Sequence, residues 1–444
     1  MKEQIVLLVI ISLLIAFLFV FQNFFNTMWA IVFLLAFMFL YCFYMWIVTQ
    51  YRKRQEEKMP AIQNSSYKPF VSILIPCHNE ESVIKDTALN VLQLNYKDYE
   101  IILIDDRSKD ETPKIIQELS AQHEKINYLI RQENAKAGKS AVLNDAMKIA
   151  KGSAILVLDA DAKIEPDMLD KMLIKLEDKD VGAVQAQKVI INAEQNFLTR
   201  CQFREYVLDS YMQTGRDAVR GAVELRGNGE LIKLEALKSI NFWNEETITD
   251  DLDMSTRLHI KGWDIRFCPE VKVYEEGVID FVALIRQRRR WVEGSIRRYL
   301  EHVQDVFTSK DMSWRVGFDL IAYITEFLLP FWMITEIIVQ AFHFVKGDEN
   351  CILSSITVVV ATGIFFASGF VYSLKKYTNC SFPKALIQAI ITSAYFITIW
   401  FPIALFIIFK IIFTKKTMDW GKTQHGVIQK IDFTSNDVGV KENV

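Results

Sequence analysis

Asp159 and Asp161 stand on either side of Ala160, directly after the apolar run from Ile155 to Leu158. Two carboxylates in one tight turn offer hard oxygen ligands to a divalent cation, and a cation held there can carry a diphosphate. A D-x-D triplet is common by chance, and its place at the end of an apolar strand is what gives it weight. Thr249-Asp250-Asp251 precedes an expected helix from Leu252 to Ile260. Either aspartate can cap that helix, and a carboxylate fixed at a helix start can equally act as a general base. Lys139 follows Gly138 at another expected helix start, where a lysine and free backbone N–H groups together suit a phosphate, although a solvated lysine fits the same pattern. Asp106 closes a further apolar run. It fits a ligand for the base or ribose of a nucleotide, or a turn former before Arg107-Ser108. The segment Gln287-Arg288-Arg289-Arg290-Trp291 has the arginines of a basic amphipathic helix on anionic lipid, which leaves its glutamine and tryptophan unexplained. A tryptophan face can stack on a sugar ring, and an arginine can pair with a departing diphosphate.

The elements that must position these groups alternate in type between Pro69 and about Leu300. Short apolar runs are each followed by a helical pattern: Val71–Pro76 by Glu81–Gln93, Glu100–Asp105 by Thr112–His123, Ile126–Ile130 by Lys139–Ala150, and Ala154–Leu158 by Pro166–Leu176, with Val181–Gln187 next. Strands that are apolar throughout and alternate with helices predict a parallel sheet covered on both faces. Ligands bind such sheets beyond the carboxyl ends of the strands, where Pro76 to Glu80, Asp106 and the D-x-D triplet fall. No G-x-G-x-x-G follows the first strand, and Asn134 replaces the first glycine of a phosphate-binding loop ending at Gly138-Lys139-Ser140, so a dinucleotide dehydrogenase and a P-loop ATPase are both disfavoured.

Composition places this region beside a membrane. Apolar residues make up 51% of the 444, and the net charge of −3 disfavours a general nucleic-acid binder. The six cysteines show no metal-type or disulfide-type spacing. Uncharged runs from Ile5 to Phe21 and from Met28 to Val48 are each about the ~20 residues needed for a crossing. Arg52, Lys53 and Arg54 follow at once and put Pro60 onward in the cytosol. Three more runs, Val316–Val345, Ile352–Ser373 and Ala385–Phe413, lie late in the chain, the outer two interrupted by Pro330 and Pro402. Three crossings would leave Lys415 and Lys416 outside, against their charge. Either one long run is a tight hairpin or one lies partly in the interface. The expected organisation is therefore a hairpin at 1–50, a basic linker at 51–68, an α/β domain at 69–276, amphipathic interfacial helices at 277–312, a helical membrane bundle at 313–413 and a cytosolic tail at 414–444.

Taken in order, Pro76 to Glu80, Asp106, Gly138-Lys139 with Asn144, Asp159-Ala160-Asp161, Gly227-Asn228-Gly229, Thr249-Asp250-Asp251 and Gln287-x-x-Arg290-Trp291 resemble the processive members of glycosyltransferase family 2. That group contains cellulose, chitin, hyaluronan and poly-N-acetylglucosamine synthases. The resemblance implies a Rossmann-like GT-A domain inserted between membrane helices, in a multi-pass protein of a bacterial plasma membrane. It implies a UDP-sugar donor held by Pro76, Glu80, Asp106, Lys139 and Asp159, and Mg²⁺ or Mn²⁺ held by Asp159 and Asp161. The family's T-E-D is T-D-D here, which points to Asp251 as base with Asp250 beside it. Gln287, Arg290 and Trp291 are implied to bind the diphosphate and the acceptor end of a growing β-linked polysaccharide, with membrane lipids and a small membrane accessory subunit as further partners. The tail Trp420 to Gly426 is similar to a motif that closes over the nucleotide in relatives, and Glu326 and Glu336 are candidates to line a polymer path. The alternative within the class is a transferase that adds one sugar to a lipid acceptor and stops. A membrane receptor or transporter that senses a nucleotide would have no use for a base such as Asp251.

Overall fold

The computed structural model describes residues 3–9, 11–12, 27–56, 66–323, 330, 341, 344–347 and 350–414. Four strands form the expected parallel half of the sheet: β1 (Val71–Cys77), β2 (Tyr99–Asp105), β3 (Ile126–Ile130) and β4 (Ala154–Val157). Four more follow, namely β5 (Lys163–Ile164), β6 (Val181–Ile190), β7 (Glu230–Lys233) and β8 (Asp264–Glu275), giving the order β3-β2-β1-β4-β7-β6-β8-β5. The sheet is mixed, which corrects the expectation of parallel strands throughout: β7 runs antiparallel to both β4 and β6, and β5 runs antiparallel to β8. The chain reverses into β7 through Gly227 and Gly229, at φ +77° and +73°. Four residues are too few to show a period in the sequence.

Strand side chains alternate between two cores. Ile73, Ile75, Ile101, Leu103 and Leu156 pack on one face with Ile84, Ile116 and Leu173 of α2 (Ile84–Val91), α3 (Thr112–Gln122) and α5 (Met168–Leu176). Leu74, Ile102, Ile104, Ile155 and Val157 pack on the other with Val142 of α4 (Lys139–Ala146) and Leu258 of α8 (Asp250–Ile260). Each fully buried Leu, Ile or Val contributes about 1.5–3 kcal/mol, so these two layers hold the strand ends, and the loops that leave them, in fixed positions.

Outside the sheet run α1 (Thr27–Glu56), α6 (Phe197–Val219), α7 (Leu234–Ser239), α9 (Phe281–Thr308), α10 (Asn350–Tyr377) and α11 (Phe382–Phe413). α6 begins with a capping box in which Asn196 and Thr199 exchange hydrogen bonds, and it buries Gln202, Arg204, Glu205, Gln213 and Arg216. A helix that buries so many polar groups has no clean apolar stripe, which is why periodicity did not disclose it.

The expected run Met28–Val48 lies in α1, which continues through the basic residues Lys53 and Arg54. Ile352–Ser373 lies in α10 and Ala385–Phe413 in α11, with Pro402 inside the helix. Among the described residues, one helix, α11, is long and apolar enough to cross a membrane. Most of Ile5–Phe21 and of Val316–Val345, with Glu326, Glu336 and the Trp420 to Gly426 motif, lies outside the described residues.

Candidate active site

The glycine turn that reverses the chain also explains its own composition. A Cβ at Gly229 would sit 2.5 Å from Val273 Cγ2, and one at Gly227 would sit 3.3 Å from Asp251 Oδ2. Asn228 between them accepts from the Asp159 N–H at 3.2 Å and donates to Glu275 at 3.1 Å. The turn therefore ties the D-x-D triplet after β4 to the end of β8.

Gly138, at φ +118°, precedes α4 and turns Lys139 inward. Its Nζ donates to Asp159 Oδ1 and to the Gly227 carbonyl, both at 2.6 Å. Burial alone would lower the Lys139 pKa, but Asp159, Asp250 and Glu230 around it outweigh that and raise it, so the ammonium stays charged. The N-cap of α8 is Thr249, which corrects the expectation that an aspartate caps this helix. Asp250 and Asp251 occupy its first turn, where the helix dipole favours negative charge. One oxygen of Asp251 accepts from the Leu252 N–H at 2.8 Å. Burial and then the neighbouring Asp250 push the Asp251 carboxyl up, and burial and then Asp251 do the same to Glu230, which is 1% exposed. α9 lies directly on this loop: a Cβ at Gly294 would be 2.6 Å from Thr249 Oγ1.

These groups face one cavity of about 740 Å³. Pro76, Glu80, Lys139, Asp159 and Asp161 line it from the sheet rim, Asp250 and Asp251 from α8, and Gln287, Arg290 and Trp291 from α9. Arg290 forms no ion pair among the described residues, which leaves its guanidinium available to an anion. Asp106 is the expected donor ligand that does not line the cavity. It is fully buried and pairs with Arg131 at 2.6 Å and Arg107 at 2.9 Å. Arg131 in turn donates to the Lys136 carbonyl at 2.8 Å, so Asp106 braces the segment that leads to Lys139.

Asp159 and Asp161 present only carboxylate oxygens, the donor set that suits Mg²⁺ or Mn²⁺. No cluster of three or more His, Cys, Asp or Glu able to hold a metal occurs among the described residues, so the rest of a cation's shell would fall to a diphosphate and water.

Several lining residues escaped the sequence reading. Lys188 and Glu275 pair at 3.0 Å, and Tyr206 donates to Glu275 at 2.6 Å. Behind the lining, Arg288 is wholly buried and pairs with Glu205 at 2.5 Å, donates to Gln287 at 2.6 Å and stacks on Trp291 at 4.3 Å. Trp400 of α11 donates to the same Glu205 at 2.5 Å. The run of arginines marked Arg288, but its partners stand on α6 and α11, far off in sequence. Beyond Trp291 the cavity wall turns apolar, with Phe366 of α10 and Phe396, Phe401 and Ala404 of α11.

A family profile described as "Glycosyltransferase like family 2" matches residues 69–294. The chain is 36% identical over 360 residues to a beta-monoglucosyldiacylglycerol synthase of Trichormus variabilis, covering 80% of this chain and 76% of the relative. It is 29% identical over 303 residues to a poly-beta-1,6-N-acetyl-D-glucosamine synthase of Staphylococcus epidermidis, covering 68% and 70%. Its fold is similar to that of the mannosyltransferase PcManGT from Pyrobaculum calidifontis, solved with GDP-Man and Mn²⁺, at a TM-score of 0.57 and 19% identity over 84% of this chain and 99% of that one.

Proposed function

The chain belongs to glycosyltransferase family 2, with the GT-A fold of such enzymes, and from that premise we propose that it transfers one hexose, as a β-glucoside, from a UDP-sugar to the free hydroxyl of a diacylglycerol-type lipid. The carrying observation is that a single cavity joins Asp251, Lys139 and Asp159 to the apolar wall of Phe366, Phe396, Phe401 and Ala404. A lipid hydroxyl can reach the carboxylates while its acyl chains stay against aromatic and aliphatic carbon. The 36% identity to synthases of a glucosyldiacylglycerol supports the same acceptor and sugar. The lipid acceptor, second to a polysaccharide on sequence motifs alone, thereby becomes the first reading.

In this mechanism the acceptor oxygen bonds to the anomeric carbon as Asp251 takes its proton. The bond from that carbon to the diphosphate oxygen breaks on the opposite face, and the nucleoside diphosphate leaves with the electron pair. A neutral hydroxyl is a weak nucleophile, so a base fixed beside it is required. Lys139 and Arg290 place positive charge where the diphosphate develops its own. Asp159 and Asp161 would hold a Mg²⁺ or Mn²⁺, which would supply further charge neutralisation on the leaving group. Trp291, its ring fixed by Arg288, offers a face for a sugar.

A polysaccharide product keeps support from Gln287, Arg290 and Trp291 facing one cavity and from the poly-N-acetylglucosamine synthase relatives. One experiment separates the two. Purified enzyme is given labelled UDP-glucose or UDP-N-acetylglucosamine, Mn²⁺ and vesicles containing diacylglycerol. Label extracted into organic solvent as a monoglycosyl lipid supports the lipid reading. Label retained in an aqueous, size-heterogeneous polymer that forms without diacylglycerol refutes it.

A further inference from the structure

α11 is apolar enough to cross a bilayer, yet its packing is not that of a crossing helix. One face is buried against the catalytic domain from the first turn to the last. Ala385 packs on Val207, Thr392 lies 3.5 Å from Arg204 Nη1, and Trp400 donates to Glu205. Further along, Ile403, Ile407 and Ile411 share a core with Val292, Ile296 and Leu300 of α9, and Lys410 pairs with Glu293 at 2.6 Å. The opposite face is open over the same length: Ile387, Ile390, Phe406, Phe409 and Phe413 are between 48% and 79% exposed.

Thr392 and Lys410 are separated by roughly 27 Å of helix at 1.5 Å per residue, close to the ~30 Å thickness of a hydrocarbon core. A perpendicular α11 would string Arg204, Glu205, Arg288 and Glu293 through that core, where charged groups are costly and rare. These residues cannot follow it there, because α9 is fixed to the catalytic domain by Arg298 on Glu224 at 2.6 Å and His302 on Asp253 at 2.8 Å. The last turn is tied as well: Gln4, at the start of the chain, donates to the Ile412 carbonyl at 3.2 Å.

We infer that α11 does not cross the membrane but lies along its surface, with the stripe from Ile387 to Phe413 sunk into the leaflet next to the catalytic domain and both helix ends on that domain's side. The partner of this surface is lipid. The helix resembles a span in composition because one face needs apolar residues for the protein and the other needs them for acyl chains, which leaves no polar stripe. The arrangement also puts Thr414, at the end of the helix, on the same side as Arg52 to Arg54, the side where basic residues accumulate. It goes beyond the acceptor reading and does not depend on it.

The test labels the two ends of the helix separately. Ser381→Cys and Thr414→Cys, both at exposed positions, are placed one at a time in a full-length chain with Cys42, Cys351 and Cys380 changed to serine, and the buried Cys77, Cys201 and Cys268 are kept. A membrane-impermeant maleimide is applied to sealed right-side-out cells and to inside-out vesicles, with Glu118→Cys on α3 marking the catalytic side. Thr378→Cys and Lys416→Cys probe each end a second time, so that one silent position does not leave an end unread. Both ends labelling from the same side as Glu118→Cys is the expected result. Labelling of the two ends from opposite sides overturns the inference.

Discussion

Replacing Asp251 with asparagine should slow the enzyme and stabilise its fold at the same time. Burial and Asp250 push the Asp251 carboxyl from 3.8 up to about 6. A rise of that size corresponds to roughly 3 kcal/mol against the ionised form. An acid whose pKa is raised by folding holds its proton more tightly in the folded state. The resulting stabilisation is complete below about pH 3.8 and lost as the pH rises through about 6. At pH 8 the native fold therefore contains an unfavourable buried charge, whereas asparagine is neutral and can still accept from the Leu252 N–H. Because Asp250 and Glu230 share the same field, the gain is some fraction of 3 kcal/mol, about 2–4 °C in melting temperature per kcal/mol for a domain of this size, and it should shrink towards pH 4. Loss of a general base costs about 10²–10⁴ in rate. The assay is initial-rate transfer of labelled sugar to lipid at pH 8, with thermal melts at pH 8 and pH 4. Native kcat/KM should fall about tenfold per pH unit below about 6, and the variant should lack that limb. A variant that keeps kcat within threefold, or melts lower than the native protein at pH 8, refutes the assignment of Asp251 as a strained, ionised base.

Removing divalent cations with a chelator should abolish transfer, and Mn²⁺ or Mg²⁺ should restore it in the native protein but not in Asp159→Asn, as measured by product formation against added metal. Gly294→Ala should push Thr249 and the first turn of α8, since the new methyl would overlap Thr249 Cγ2, the atom a serine lacks, and sit 2.6 Å from its Oγ1. A fall in kcat of about tenfold or more is expected, with partial recovery when Thr249→Ser is added, because a shift on the order of an ångström at the base is enough to cost that much. Glu205→Gln leaves the Arg288 guanidinium buried without its carboxylate, at a cost of about 3–5 kcal/mol in stability. Adding Arg288→Met should return part of that loss in melts while leaving KM for the acceptor raised, because Trp291 has lost the cation stacked on it.

Much of the site was written in local sequence. The D-x-D triplet, Gly138-Lys139 and the aspartate pair each sit where a strand ends or a helix begins, and such ends are marked by apolar runs and turn residues that short-range physics reads well, while Gln287 to Trp291, inside α9, stood out by composition alone. The same runs predicted β1 to β4 and the helices between them, because strands buried on both faces are apolar throughout.

Only the tertiary structure decided the rest. The antiparallel β7 is four residues long, and α6 buries arginine and glutamate, so neither shows a period. Asp106 pairs with Arg131, 25 residues on, a contact that no local pattern around either residue discloses. Trp291 and Arg290 could be placed beside Asp251 only once Gly294 had let α9 settle on Thr249. Hydropathy registers that both faces of α11 avoid water. It does not register that one of them meets protein and the other lipid, because a methyl group buried in either leaves the same mark on the sequence.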